Sequence, residues 1–152
     1  MDITILWLLL ILGLILLLLS FKKLPVYHSL FIFFITAYLS TFIGVIVVEK
    51  GMLKYPVRFL SQYFDSSILY ENLLLPVICI YFYQTTYNSS YISWIIQCIV
   101  YTTFLTIIEI LFERYTDLIH YYTWTWVHTF LGTFLFIIIV RILIQLINKK
   151  MT

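Results

Sequence analysis

Five long apolar runs separated by short polar breaks order this chain. Residues 3 to 21 (ITILWLLLILGLILLLLSF) are uncharged and long enough to cross about 30 Å of hydrocarbon at about 1.5 Å per residue. The run has no basic residue before it and ends in Lys22-Lys23-Leu24-Pro25 without a small-x-small cleavage site, so it reads as an anchor and not as a cleaved signal. Its Leu/Ile monotony predicts no polar or small packing face and a place at the periphery of the bundle. Residues 26 to 48 supply a second span, opened by Pro25, where proline is tolerated at a helix start. Within it Thr36, Ser40 and Gly44 recur at steps of four, with Ala37 and Thr41 beside them. Small residues at that spacing let two helices approach closely in lipid, although Ser and Thr also survive there by bonding their own backbone.

The third run, about 66 to 84, carries Glu71 and Asn72 about two turns in and Pro76 near its middle. Proline removes one helical hydrogen bond and kinks the span. At helical spacing Asp65, Asn72, Pro76, Cys79 and Tyr83 share a face, which should point into the bundle. The fourth run, about 91 to 112, has a polar stripe of Cys98, Thr102, Thr106, Glu109 and Glu113, whose steps of four, four, three and four stay on one face. The fifth, about 125 to 147, holds Arg141 and Gln145 one turn apart and is followed by Asn148-Lys149-Lys150. The expected fold class is therefore all-α, a single membrane domain of about five transmembrane helices over residues 1 to 152.

Composition agrees with the pattern. The chain is 63% hydrophobic and 11% charged, with a mean hydropathy of +1.04, whereas soluble domains are about a quarter charged. A net charge of +2, with no basic run longer than two residues, excludes a nucleic-acid role. Cys79 and Cys98 lie in apolar segments and read as small buried hydrophobes. The scarcity of Ala and Gly beside heavy use of Ile, Leu, Phe and Tyr is the composition of an AT-rich bacterial genome. The Asn88-Ser89-Ser90 sequon lies too close to two membrane ends to be read as a glycosylation site.

Between the second and third spans, residues 49 to 65 (EKGMLKYPVRFLSQYFD) mix both signs of charge with aromatics, as suits a short element at headgroup level. Five spans place this segment, the amino terminus and the 113 to 124 loop on one face, called near. The Lys22-Lys23 turn, the 85 to 91 turn and the carboxyl terminus share the far face. The loop and tail cations tie: Lys50, Lys54, Arg58 and Arg114 near, Lys22, Lys23, Lys149 and Lys150 far. The two lysines that directly follow the first span favour an amino terminus outside the cell membrane.

The chemistry gathers near. Glu71, Asn72, Glu109, Glu113, Arg114, Asp117, His120, Trp124, Trp126 and His128 form the candidate polar site. A carboxylate in a membrane span is expensive unless paired, which makes Glu71 and Glu109 functional candidates. Each also has a plainer reading. Glu113, Arg114 and Asp117 read as solvated loop charges; Glu109, about 5 Å inside the span end, can reach headgroup water. Glu71 can serve as a partner for Arg58 or Arg114, and His128 as an interhelical tie to Glu109. Tyr121, Tyr122, Trp124 and Trp126 read as an interfacial belt, and Arg141 as a side chain snorkelling to the far headgroups. Glu109, Glu113 and a histidine could hold a divalent ion, but neither HExxH nor a repeated ExxH is present, and no metal or cofactor is expected. GxGxxG, P-loop and GxSxG motifs are absent too.

YPVRF at 55 to 59, FDSSILYENLLLP from Phe64 to Pro76 and FERYTDLIHYYTWTWVH from Phe112 to His128 resemble a family of small multi-pass membrane proteins of spore-forming Firmicutes. The resemblance covers roughly residues 50 to 145. It implies a bacterial cytoplasmic membrane protein, and because that family has no assigned activity it implies no catalytic residue. The expected function is non-enzymatic binding, through the near polar aromatic face, to lipid or another membrane protein. The alternative is a small membrane enzyme or transporter with a site of Glu71, Glu109, Glu113 and His128.

Overall fold

Pro76 sits inside the third apolar run, and a computed structural model describing residues 1–151 shows how the helix keeps it. Just before the proline the chain widens into a π-helical turn, Tyr70–Leu74, in which the Leu75 N–H reaches back five residues to the Tyr70 carbonyl. A wide turn relieves the clash between the pyrrolidine ring and the preceding turn. It also shifts each acceptor by one, so the Glu71 carbonyl falls due to the donor at position 76, where proline has none. Ser40, from the neighbouring helix, supplies it: its Oγ donates to the Glu71 carbonyl at 2.5 Å.

The elements are α1 (Asp2–Ser20), α2 (Val26–Glu49), β1 (Leu53–Lys54), the π turn, α3 (Leu75–Thr86), α4 (Tyr91–Tyr115), β2 (His120–Tyr121) and α5 (Trp126–Met151). Four helices, α1, α2, α4 and α5, are long and apolar enough to cross a membrane, with mean hydropathies from 2.0 to 3.0. This is an integral membrane protein folded as an all-α bundle. The last three helices start or end a few residues beyond their expected limits, α4 running on to Tyr115.

The π turn and α3 are the hub. Most of α3 is buried, including Pro76, Val77, Cys79, Ile80 and Phe82, because α1, α2, α4 and α5 all pack around it. The extra residue in the π turn rotates the residues before it by about 100° relative to those after it. The expected common face therefore holds only in its second half: Pro76, Cys79 and Tyr83 are buried, while before the proline Glu71 turns inward and Asn72 is half-buried, and Asp65 lies exposed ahead of the helix start.

The small-residue spacing on α2 does pack, with Ser29, Ile32, Thr36, Ala37 and Ser40 buried against the hub. The first helix differs from expectation. Leu6, Gly13 and Ser20, seven apart, are buried on it, and a side chain at Gly13 would run into Leu73 and Leu74. Tyr81 Oη donates to the Leu16 carbonyl and Gln84 Nε2 to the Ser20 carbonyl, each at 2.8 Å. Helix α1 thus has a packing face after all, made of two small residues and exposed carbonyls.

At the far end Arg141 does not snorkel. It is 8% exposed, donates from Nη2 to the Thr86 carbonyl at the close of α3 (3.0 Å), and lies 4.6 Å over the Tyr83 ring. A cation at a helix carboxyl end satisfies carbonyls that the helix itself leaves open. At the near end the loops are knitted together. Strand β1 pairs antiparallel with β2, Leu53 opposite Tyr121 and Lys54 opposite His120, and the Met52 carbonyl accepts from the Tyr122, Thr123 and Trp124 amides at 3.1–3.2 Å. The Val57 amide bonds the Asp117 carbonyl at 3.1 Å, so two separate loops form one cap.

The Ser40 bond makes a specific prediction. Ser40→Ala should lower stability by roughly 1–3 kcal/mol, the cost of orphaning a buried carbonyl. In a Pro76→Ala background, which restores a backbone donor, the same change should cost clearly less. Thermal unfolding of the four proteins in mild detergent completes the cycle; equal costs in both backgrounds would refute the assignment.

Candidate functional site

Under the near cap the bundle is not closed. A cavity of about 130 Å³ lies between α2, the π turn, α4 and α5, and two carboxyls, Glu71 and Glu109, line it. Of the ten residues expected to gather at the near face, Glu71, Glu109 and Trp124 line this cavity.

Glu71 is 3% exposed. Its Oε2 accepts from Ser66 Oγ at 3.0 Å, while Oε1 is buried with no hydrogen-bond partner. The carboxyl occupies the space that a side chain at position 44 would take, so the absence of a Cβ on Gly44 makes the slot for it. Neither expected arginine reaches it. Arg58 instead organises its own loop, donating to the Tyr55 carbonyl (2.7 Å) and the Phe64 carbonyl (2.6 Å) and pairing with Asp65 at 2.8 Å. Those contacts hold a segment in which Leu60 takes a left-handed conformation (φ 54°).

Glu109 lies six residues inside the end of α4, about 9 Å along the axis, deeper than the expected span limit put it. Its Oε1 accepts from Tyr121 Oη at 2.6 Å and from Thr129 Oγ1 at 2.8 Å. Thr129 in turn accepts from Trp124 Nε1 at 2.8 Å. The relay Trp124 to Thr129 to Glu109 joins the cap, α5 and α4, and it replaces the expected tie from His128. His128 is exposed and its Nδ1 is bonded to Thr125 Oγ1 at 2.8 Å.

The remaining candidates separate. Trp124 turns inward and lines the cavity instead of belonging to the belt, while Trp126 and Tyr122 are exposed. Asn72 Oδ1 accepts from Thr41 Oγ1 at 3.3 Å, an α2 to hub contact. Glu113 is half-buried, Arg114, Asp117 and His120 are exposed, and none of the four lines the cavity. Among the described residues no group of His, Cys, Asp and Glu is placed to hold a metal ion.

Several contributors escaped the sequence reading: Ser66, Tyr55, Tyr70, Thr129 and Thr133. Thr129 and Thr133 had a readable signal, two hydroxyls one turn apart on an apolar span. Tyr55 and Tyr121 had none, because the strand pairing between distant loops is what brings them in. Burial, then the nearby Glu109, pushes both phenols above their ordinary value. Tyr121 therefore keeps its proton and stays a donor to Glu109.

The electrostatics are one-sided. Two carboxyls face a shared space whose polar neighbours are hydroxyls and an indole N–H; among the described residues no Lys or Arg lines it, and Arg58 is engaged with Asp65. An uncompensated carboxylate in a low-dielectric site costs several kcal/mol. Either a proton or a cation from outside the chain completes the site. Chemically this is a pocket for a hydrogen-bond donor or a positive group.

The relay predicts unequal effects of two conservative changes. Thr129→Val removes a donor to Glu109 and strands the Trp124 N–H, so it should cost about 1–3 kcal/mol and alter the aromatic circular dichroism. Tyr121→Phe removes one donor and leaves the Trp124 bond intact, so it should cost less. Thermal unfolding of both variants, with near-ultraviolet spectra, checks the order.

Compared with family models, curated proteins and solved structures, the chain finds no match.

Proposed function

We propose that this protein is a non-enzymatic lipid-binding membrane protein, whose near-face cavity receives a cationic, ammonium-type group of its ligand. The observation that carries this reading is that two buried carboxyls, Glu71 and Glu109, line one cavity with no Lys or Arg on its described walls, and that Glu71 Oε1, set against Gly44, has no hydrogen-bond partner. Tyr55, Tyr70 and Trp124 line the same space, and aromatic rings beside carboxylates are the usual surroundings of a bound ammonium. Catalysis by a Glu/His pair is less well supported, since no histidine lines the cavity.

The resemblance of the 112 to 128 segment to membrane proteins of spore-forming Firmicutes supports a bacterial cytoplasmic membrane as the setting. Lys22 and Lys23 directly after the first helix support an amino terminus outside, which would open the cavity toward the exterior leaflet.

The test is a titration of the full chain in neutral detergent with tetramethylammonium chloride, against sodium chloride at equal ionic strength, followed by thermal unfolding. Tetramethylammonium should raise the melting temperature of the wild type beyond the sodium control. The rise should vanish in Glu71→Gln and in Glu109→Gln. Indistinguishable curves for the two salts would sink the proposal.

A further inference from the structure

A second and larger crevice, about 340 Å³, opens between α1 and α4 with the π turn and the start of α3 as its floor. Its walls are almost wholly hydrocarbon, from Leu9 and Leu12 on α1, through Leu74 and Val77, to Phe104 and Ile108 on α4. Tyr55, Tyr70 and Glu109 line both this crevice and the two-carboxyl cavity. The two spaces therefore lie side by side, with these three side chains as the seam between them and an acid on it.

Resting on the reading of the cavity given above, we propose that the crevice holds the hydrocarbon chain of the same ligand. The protein then grips a single-chain amphiphile, an alkylammonium, with its head between Glu71 and Glu109 and its tail between α1 and α4. Four considerations select this occupant. Apolar space of this kind excludes water, and left empty it forfeits dispersion contacts on every wall. Its volume is at the low end of the roughly 300–1,000 Å³ of small-molecule pockets, enough for a chain. A single turn of a helix from a second copy, about 10–12 Å across and about 5.4 Å long, fills about 400–600 Å³, more than the crevice offers. The acids at the seam decide the head: a fatty acid would bring a third carboxyl to Glu109 and Glu71, whereas one ammonium balances one carboxylate and can donate to the other carboxyl.

The crevice also accounts for how α1 is held. Helix α1 rests on the hub through Leu6, Gly13 and Ser20, leaving Leu9 and Leu12 to face the gap. A bound chain would fill the remaining side.

The experiment uses the full chain in neutral detergent and measures binding of three probes, dodecylammonium, dodecanol and tetramethylammonium, by isothermal titration calorimetry. Two variants narrow the crevice without touching the cavity, Ile108→Phe and Leu12→Phe; Leu12 is half-exposed and tolerant of bulk, so at least one variant should fold as judged by circular dichroism. Dodecylammonium should bind the wild type more tightly than either other probe. Both variants should weaken dodecylammonium roughly tenfold, the equivalent of losing about two buried methylenes, with tetramethylammonium unchanged. Glu109→Gln should weaken both cations. If the variants leave dodecylammonium binding intact while tetramethylammonium still binds, the crevice is not the chain site and the cavity reading stands. Loss of all tetramethylammonium binding in the wild type overturns both. Dodecanol binding as tightly as dodecylammonium overturns the choice of head, and a change of oligomeric mass in the variants without a change in probe binding assigns the crevice to a second copy.

Discussion

A single missing N–H governs this bundle. Because Pro76 cannot donate, the helix before it widens, the Glu71 carbonyl loses its helical partner, and Ser40 has to stand beside it. The same wide turn swings the Glu71 side chain inward, where Gly44 leaves room for it. Backbone satisfaction in a solvent without water, a constraint that admits almost no exceptions, thus fixes both the closest helix contact and the position of an acid. The cavity results from those two facts. The Glu71 carboxyl is pressed against Gly44 on α2 and shares with Glu109 the space between α2, α4 and α5.

The two ends of the bundle solve opposite problems. At the far end a buried cation, Arg141, is answered by a helix carboxyl terminus and an aromatic face, all from within the chain. At the near end two acids are answered only by hydroxyls, one of which, on Thr129, is itself held by an indole N–H. Each end leaves one buried atom unpartnered, Arg141 Nε at the far end and Glu71 Oε1 at the near end; what separates a structural charge from a candidate site is that the two acids share a cavity and Arg141 does not line it.

Much of this is legible in the sequence, and the failures have physical causes. Length and hydropathy locate the spans, and the period of four on α2 and α4 identifies packing faces, because both signals are local. Glu71 and Glu109 are recognisable as a pair because charge in an apolar run is conspicuous. The choice of Glu71 over Asn72 as the inward residue is not, since a periodicity argument assumes an unbroken α-helix and the π turn adds a residue to it. Chain proximity matches Glu109 to His128, whereas the ladder between Leu53–Lys54 and His120–Tyr121 delivers Tyr121 instead. The Leu6, Gly13 and Ser20 line is hidden by the uniform leucines around it. Arg141 reads as a headgroup ligand because the carbonyl of Thr86, its real partner, carries no sequence signature.

The position of the hub in the chain bears on biogenesis. Helices α1 and α2 are synthesised first, yet the surfaces they present, Gly13 and Ser20 on one and Ser40 and Gly44 on the other, are shaped for a helix that emerges after them. The third helix, for its part, carries a proline, an orphan carbonyl and an acid that bare lipid tolerates poorly. Docking against α1 and α2 is what meets those demands, through Ser40 and the slot at Gly44, so we expect the third helix to take its place only once the two before it are there to receive it.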